Sequence, residues 1–380
     1  MPIKKVCFIM TDAISFNSLC RNQLEFFSNK KDIDITLICG GSASDLESLY
    51  KRNVGRVLHF PLYRKPNLGK DIFCLFKLFF FFIFNRFDLI VYSTPKALLL
   101  TSIASFFAFQ KNRLAVVQGR VYENDKGLKR KIFQIIDKFT FLFSSKVVFV
   151  SESVMRKSIL ENLLKSDKAI LLGYGSFNGV DTDKFYPIES KDKKLLRKKM
   201  NIPENDFVIC TIGRICKDKG IIELKNIIEK SKFTNSKFIL VGRIEDELSR
   251  SIIYDLKTNP NFSFIEYTLD IHEIFQLSDL HLFLSHREGF GNVAIEAAAC
   301  GIPTFAYDIV GIKDSVKEDI SGKRFKFKET EEILYAIEKL KNSNIQPYSE
   351  CASWAKEKFQ QEKVWDNYLK FYLSLINKRQ

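Results

Sequence analysis

Short apolar runs recur along this chain, and nearly every one is followed by a segment of helical periodicity. Runs without polar alternation are buried on both faces, and parallel neighbours can be joined only by a crossover. The pattern therefore predicts βαβ units and parallel sheets covered by helices on both sides. Strands are expected over Lys5–Met10, Asp34–Cys39, Arg56–Phe60, Asp88–Tyr92, Arg113–Val117, Val147–Val150 and Ala169–Leu172. Helices are expected over Ser15–Asn29, Lys70–Phe84, Lys96–Phe109, Leu128–Phe143 and Ser153–Leu164.

A polar, Lys-rich stretch from Glu189 to Lys199 interrupts the series, which then restarts. Strands follow over Phe207–Ile212, Lys237–Val241, Phe262–Ile265, Leu280–Leu284 and Pro303–Tyr307. Helices follow over Ile221–Lys230, Asp246–Lys257, Ile271–Leu277, Val293–Cys300 and Thr330–Lys341. The fold class is thus α/β, with two doubly wound, Rossmann-like domains. The first spans residues 1–185 and the second residues 186–363. The tail, Tyr348 to Lys378, reads as one or two amphipathic helices, and its last part, 364–380, is expected to complete the first domain.

The 380 residues suffice for two domains, and 46% hydrophobic content supplies their cores. Lys and Arg outnumber Asp and Glu by 59 to 45, a net charge of +14. Such a surface attracts anionic lipid or phosphorylated ligands. Nucleic acid is not an expected partner, because RNA-binding and zinc-finger signatures are lacking. The eight Cys show no CxxC pair and sit mostly in apolar runs, as in a reducing compartment. No metal site is expected. The start, Met1-Pro2-Ile3-Lys4-Lys5, runs straight into a strand, without the pattern of a signal peptide. The aromatic block Leu78–Phe84 is too short to span a bilayer.

The richest chemical string runs from Ser285-His286-Arg287-Glu288-Gly289-Phe290-Gly291-Asn292-Val293 to Glu296. It places a glycine-containing turn between a strand end and a helix start, where open α/β sheets bind ligands. The helix N-terminus suits a diphosphate, and glycines permit close backbone approach. Glu288 lies in the turn and Glu296 one turn into the helix. The alternative for the pair is a solvated acid and a capping turn.

Gly213-Arg214-Ile215-Cys216-Lys217-Asp218-Lys219-Gly220 follows another strand end. Arg214 offers a planar fork and Lys219 a compact charge for phosphate oxygens. Either cation read alone is as well explained by surface charge.

These strings resemble the Glu-x7-Glu signature and the Gly-Arg…Lys-Gly element of glycosyltransferase family 4, retaining enzymes of the GT-B fold, whose two domains face a cleft. The resemblance implies that Glu288 touches the donor sugar and Glu296 the nucleotide ribose. It implies that the backbone of Gly291, Asn292 and Val293, with Arg214 and Lys219, holds the donor diphosphate. Glu288, Arg214 and Lys219 are then the catalytic candidates, with no cofactor required. Gly175-Ser176-Phe177-Asn178-Gly179-Val180-Asp181 is similar to an element that closes the family's first domain. Gln118 stands where many members have His. Asp12, Arg120 and Glu123, on strand-end loops of the first domain, are acceptor-side candidates.

Together with Thr94-Pro95-Lys96-Ala97, these stretches look like enzymes of bacterial capsule and O-antigen assembly. That implies a UDP-sugar donor carrying a hexosyl or N-acetylhexosaminyl group and an undecaprenyl-diphosphate-linked acceptor. Lys70–Phe84 and Lys126–Phe143 join cations to aromatic residues, as helices at an anionic membrane interface do. A cytoplasmic enzyme, peripheral on the inner face of the membrane, is expected. Two other readings remain: a sugar-nucleotide 2-epimerase of the same architecture, and a non-catalytic lipid- or nucleotide-binding protein.

Overall fold

A computed structural model describes residues 3–231, 233–343 and 347–377. Met1, Pro2 and residues 378–380, which the sequence reading includes at the start and in the last helix, lie outside the described residues. The chain forms two units, residues 1–178 with 362–380, and residues 179–361. The sequence reading sets the change at 185 and the return at 364.

The first unit contains β1 (Lys4–Asp12), β2 (Ile33–Gly40), β3 (Arg56–His59), β4 (Leu89–Ser93), β5 (Arg113–Val117), β6 (Lys146–Phe149) and β7 (Ala169–Leu171). They form one parallel sheet in the order β3-β2-β1-β4-β5-β6-β7. The chain steps outward from β1 to β3, then returns past β1 to β4 and moves the other way. Right-handed crossovers therefore place the helices Ala13–Leu19, Gln23–Ser28 and Ala43–Lys51 on one face. By the same rule the helices Leu68–Phe84, Pro95–Phe107 and Gly127–Phe143 cover the other face, packed side by side. Helix Gln361–Asn377 closes this unit with buried Trp365, Tyr368 and Tyr372. Its Trp365 ring lies 5.5 Å from Phe26, and Tyr372 lies 5.7 Å from Phe27.

The second unit contains β8 (Phe207–Ile212), β9 (Ser236–Val241), β10 (Phe262–Ile265), β11 (Leu280–Phe283), β12 (Thr304–Tyr307) and β13 (Gly322–Phe325). Their order is β10-β9-β8-β11-β12-β13, again parallel. In both sheets the order reverses direction beside the first strand of the unit. That switch point, at the carboxyl ends of the strands, is where such sheets bind ligands. In the second unit it lies between β8 and β11.

Four departures from the expected elements have a physical reason in the structure. The single helix expected over Ser15–Asn29 is two, Ala13–Leu19 and Gln23–Ser28. Arg21 between them has φ +29°, and Arg52 donates to the carbonyls of Phe16 (2.9 Å) and Arg21, satisfying backbone groups that the break leaves open. Strand β13 was not expected, because Lys323 and Arg324 interrupt its apolar pattern at a sheet edge. The helix Ser190–Lys199 occupies the stretch read as polar, since Arg197 alone is buried on it. Helix Ala43–Lys51 buries only Leu49, which leaves little periodic signal.

His281 in β11 has no exposed surface, and its Nδ1 lies 3.1 Å from Thr304 Oγ1. Burial pushes its pKa down to about 3. The unfolded chain takes up this proton near pH ~6.5. Stability from the neutral folded form is therefore complete above that pH and is lost as pH falls toward the folded value. Between pH ~6 and ~4, wild-type unfolding free energy should fall more steeply than that of His281→Gln, by about 1.4 kcal/mol per pH unit. Urea unfolding across pH checks this, and equal slopes for the two proteins would contradict it.

Candidate functional site

The switch point of the second unit is framed by two loops. After β8 the chain passes through Gly213, Arg214 and buried Ile215 into a short 3-10 turn, Lys217–Lys219. Gly220 then starts the helix Ile221–Lys230 with φ +80°. A Cβ there would stand 2.2 Å from the carbonyl oxygen of Leu284, at the end of β11. Only glycine lets the two loops approach this closely.

The loop after β11 is fastened to its neighbour through Asp218. The Asp218 carbonyl accepts from the His286 amide at 2.8 Å and from Ser285 Oγ at 3.4 Å. The Asp218 carboxylate lies 3.4 Å from Arg287 Nη2. This fastening carries Lys219 Nζ into an ion pair with Glu288 Oε1, at a site where both side chains are largely buried. Behind the loop, His286 Nε2 lies 3.1 Å from Glu223 Oε1. Glu223 is 6% exposed. Burial alone would raise its pKa, but His286 and Lys328 outweigh that and hold it below the usual range.

Gly291 has φ +87° and begins the helix Asn292–Ala299 without a side-chain cap. Asn292 and Val293 are half-buried in its first turn, while Glu296 is 2% exposed. The positive end of this helix thus lies in the segment that also carries Glu288. A cation, a carboxylate and a helix N-terminus on adjoining loops can neutralise a diphosphate while holding hydroxyl groups.

Arg214 is not drawn into this cluster. Its Nη1 lies 2.6 Å from Glu245 Oε2, and the side chain is 59% exposed. An exposed pair of this kind is weakly held. Sequence reasoning missed Glu245 and Glu223. The first lies in a polar stretch beyond β9, and the second reads as an ordinary acid in a first helical turn.

In the first unit, Asp12 ends β1 and caps the following helix, accepting from the Ser15 amide (2.8 Å) and hydroxyl (2.9 Å). Burial favours its neutral form, but Arg64 and Ser15 hold its pKa below the usual carboxylate range. Arg120, expected on the acceptor side, is turned inward. Its side chain is wholly buried, bonding Glu123 (2.8 Å), Glu161 (2.8 Å) and Ser158 (3.4 Å). Every donor of its fork is committed to the protein interior. Glu123 is held in turn by Arg120 and Lys157. Gln118 differs, because its Nε2 is buried without a hydrogen-bond partner among the described residues.

The two ion pairs should behave differently in double-mutant cycles of urea stability. Lys219→Met with Glu288→Gln should show a coupling of roughly 0.5–3 kcal/mol. The exposed Arg214–Glu245 pair should show a smaller one. No coupling between Lys219 and Glu288 would show that their loops are not clasped in solution.

Known proteins similar to this chain include named glycosyltransferases. The family of glycosyl transferases group 1 matches residues 192–360, which contain both loops. The chain is 32% identical over 350 residues to the capsular polysaccharide biosynthesis glycosyltransferase CapM of Staphylococcus aureus, covering 90% of this chain and 89% of CapM. It is 27% identical over 276 residues to the N,N'-diacetylbacillosaminyl-diphospho-undecaprenol alpha-1,3-N-acetylgalactosaminyltransferase of Campylobacter jejuni, covering 70% and 71% of the two chains. The crystal structure of Anabaena HepE with UDP and glucose shares the fold, with a TM-score of 0.79 at 19% identity over 98% of this chain and 100% of that one. WaaG, a glycosyltransferase involved in lipopolysaccharide biosynthesis, shares it with a TM-score of 0.74 at 14% identity over 98% and 100%. This chain belongs to the group 1 glycosyl transferases and is a glycosyltransferase of the GT-B fold.

Proposed function

We propose that this enzyme is a retaining transferase of family 4. It moves a hexosyl or N-acetylhexosaminyl group from a UDP-sugar to a glycolipid acceptor such as a sugar on undecaprenyl diphosphate or another polyprenyl carrier, during capsule or O-antigen assembly. The observation that carries this reading is the meeting of Lys219 and Glu288 beside the start of helix Asn292–Ala299. Three relatives add support. CapM is a capsular polysaccharide enzyme, the Campylobacter relative is named for an undecaprenol diphosphate acceptor, and the HepE structure holds UDP.

The donor diphosphate sits against Lys219 and the amides of Gly291, Asn292 and Val293. Arg214 leaves its loose pair with Glu245 and swings to the diphosphate at small cost. Glu288 accepts from hydroxyls of the donor sugar, and Glu296 holds the nucleotide ribose. The bond between sugar C1 and the diphosphate oxygen breaks as the acceptor oxygen bonds C1 on the same face. The acceptor proton passes to the departing diphosphate. Charge grows on that diphosphate in the transition state, so fixed cations there lower the barrier. Among the acceptor-side candidates, Asp12 is ionised at a strand end, and Glu123 serves chiefly to hold Arg120. The enzyme works at the inner face of the cytoplasmic membrane, where a lipid-linked acceptor resides. Among the described residues no helix is long and apolar enough to cross it.

The test is turnover of a panel of UDP-sugars with and without a short-chain polyprenyl-diphosphate sugar. UDP release that requires the lipid acceptor and favours one donor is the expected result. Lys219→Ala, Arg214→Ala and Glu288→Gln should each slow it about ten- to hundred-fold, as the loss of a charge-assisted contact implies. Glu296→Ala should weaken donor binding. Conversion of the sugar without acceptor would replace this reading with a 2-epimerase, and binding without turnover would replace it with a non-catalytic protein.

A further inference from the structure

We propose that the outer surface of the three-helix layer in the first unit docks on an anionic lipid bilayer. A helix laid on a sheet buries one stripe and normally turns polar residues outward. The helix Leu68–Phe84 does bury Cys74, Leu78 and Phe82 against its own unit. Its outward stripe, however, is Ile72, Phe73, Phe76, Phe80, Ile83 and Phe84, all exposed. Their spacing keeps them on one side of the helix. Two crossovers away, helix Gly127–Phe143 repeats the arrangement, with Leu128, Ile132, Ile135, Phe139 and Leu142 exposed at alternating steps of four and three. Between them, the middle helix ends in exposed Phe107, followed by Phe109, which is 81% exposed. Three adjacent helices thus present one apolar, aromatic surface.

Charge selects the occupant. The acidic residues of this layer are each held by a partner within it or beside it. Asp71 lies 2.7 Å from Lys96, Asp125 lies 3.0 Å from Lys129, and Asp137 accepts from the Tyr122 hydroxyl. Lys70, Lys77, Lys126, Lys131 and Lys138 remain exposed beside the aromatic stripes. A second copy would bring the same cations against them, and like charges repel. An anionic bilayer surface offers headgroup phosphates to the lysines and acyl chains to the aromatics. Helices of this kind lie in the interface plane rather than crossing it.

The inference rests on the proposed function only for its expectation of a lipid-linked acceptor. Vesicle binding is read without turnover, so either can fail alone. The experiment is co-sedimentation with vesicles of phosphatidylcholine, and of phosphatidylcholine with phosphatidylglycerol in equal parts, at low and high salt. Three proteins are compared: the wild type, the quadruple variant Phe73→Ser/Phe76→Ser/Phe80→Ser/Phe84→Ser, and the double variant Lys131→Glu/Lys138→Glu. Wild type should sediment with the anionic vesicles only, and less at high salt. Each variant should lose at least ten-fold in partitioning. Circular dichroism should show both variants folded, and turnover on a soluble short-chain acceptor should match wild type. Three results would overturn the proposal: absence of vesicle binding by the wild type, equal binding to both lipids, or binding unchanged in both variants. Should the quadruple variant unfold, the lysine variant still decides. A wild type that self-associates through this face and ignores vesicles would make it a protein interface instead.

Discussion

The close approach of Gly220 to the end of β11 governs the geometry of the candidate site. A side chain at that position would overlap the Leu284 carbonyl, so the two loops would part. Because they do not, the Asp218 carbonyl reaches the His286 amide, and Lys219 reaches Glu288. A cation, a carboxylate and a helix N-terminus then share one corner of a parallel sheet. The corner is the switch point at which the strand order reverses, so it needs no extra structure to become concave. Packing in the sheet core thereby positions groups that would drift if left on free loops.

The first unit uses ion pairs differently. Arg120 lies wholly within the protein, and its partners Glu123 and Glu161 satisfy its fork on all sides. A buried guanidinium left unpaired would be costly, so this cluster is retained as a set or not at all. It fixes the loop after β5 to the helix Glu152–Leu160. Arg214 is the opposite case. Its exposed pair with Glu245 is weakly held. Burial therefore separates the arginine that builds the fold from the one held loosely at the surface.

Much of the fold was legible because buried parallel strands leave uninterrupted apolar runs. Strands such as Arg113–Val117 and Phe207–Ile212 coincide with their expected ranges. Elements that bury little were illegible. Helix Ala43–Lys51 and edge strand β13 carry mostly polar residues, so periodicity does not mark them. The break at Arg21 is set by the distant Arg52, which no local pattern reveals. Glycines and charges that stand together in a loop mark Glu288 and Lys219 as candidates. Where a partner comes from another element, as for Glu161, Glu223 and Glu245, sequence spacing holds no trace of it. Arg120 is a charged residue on a strand-end loop whose fork is committed to the interior, which its place in the sequence does not show.

The account stands or falls on the clasped loops of the second unit holding a nucleotide diphosphate. Calorimetric titration of UDP into the wild type and into Lys219→Ala measures this most directly. The account predicts saturable binding to the wild type and an affinity at least ten-fold weaker in the variant, with the fold unchanged. Equal affinity in the two proteins, or no UDP binding to the wild type, would contradict it.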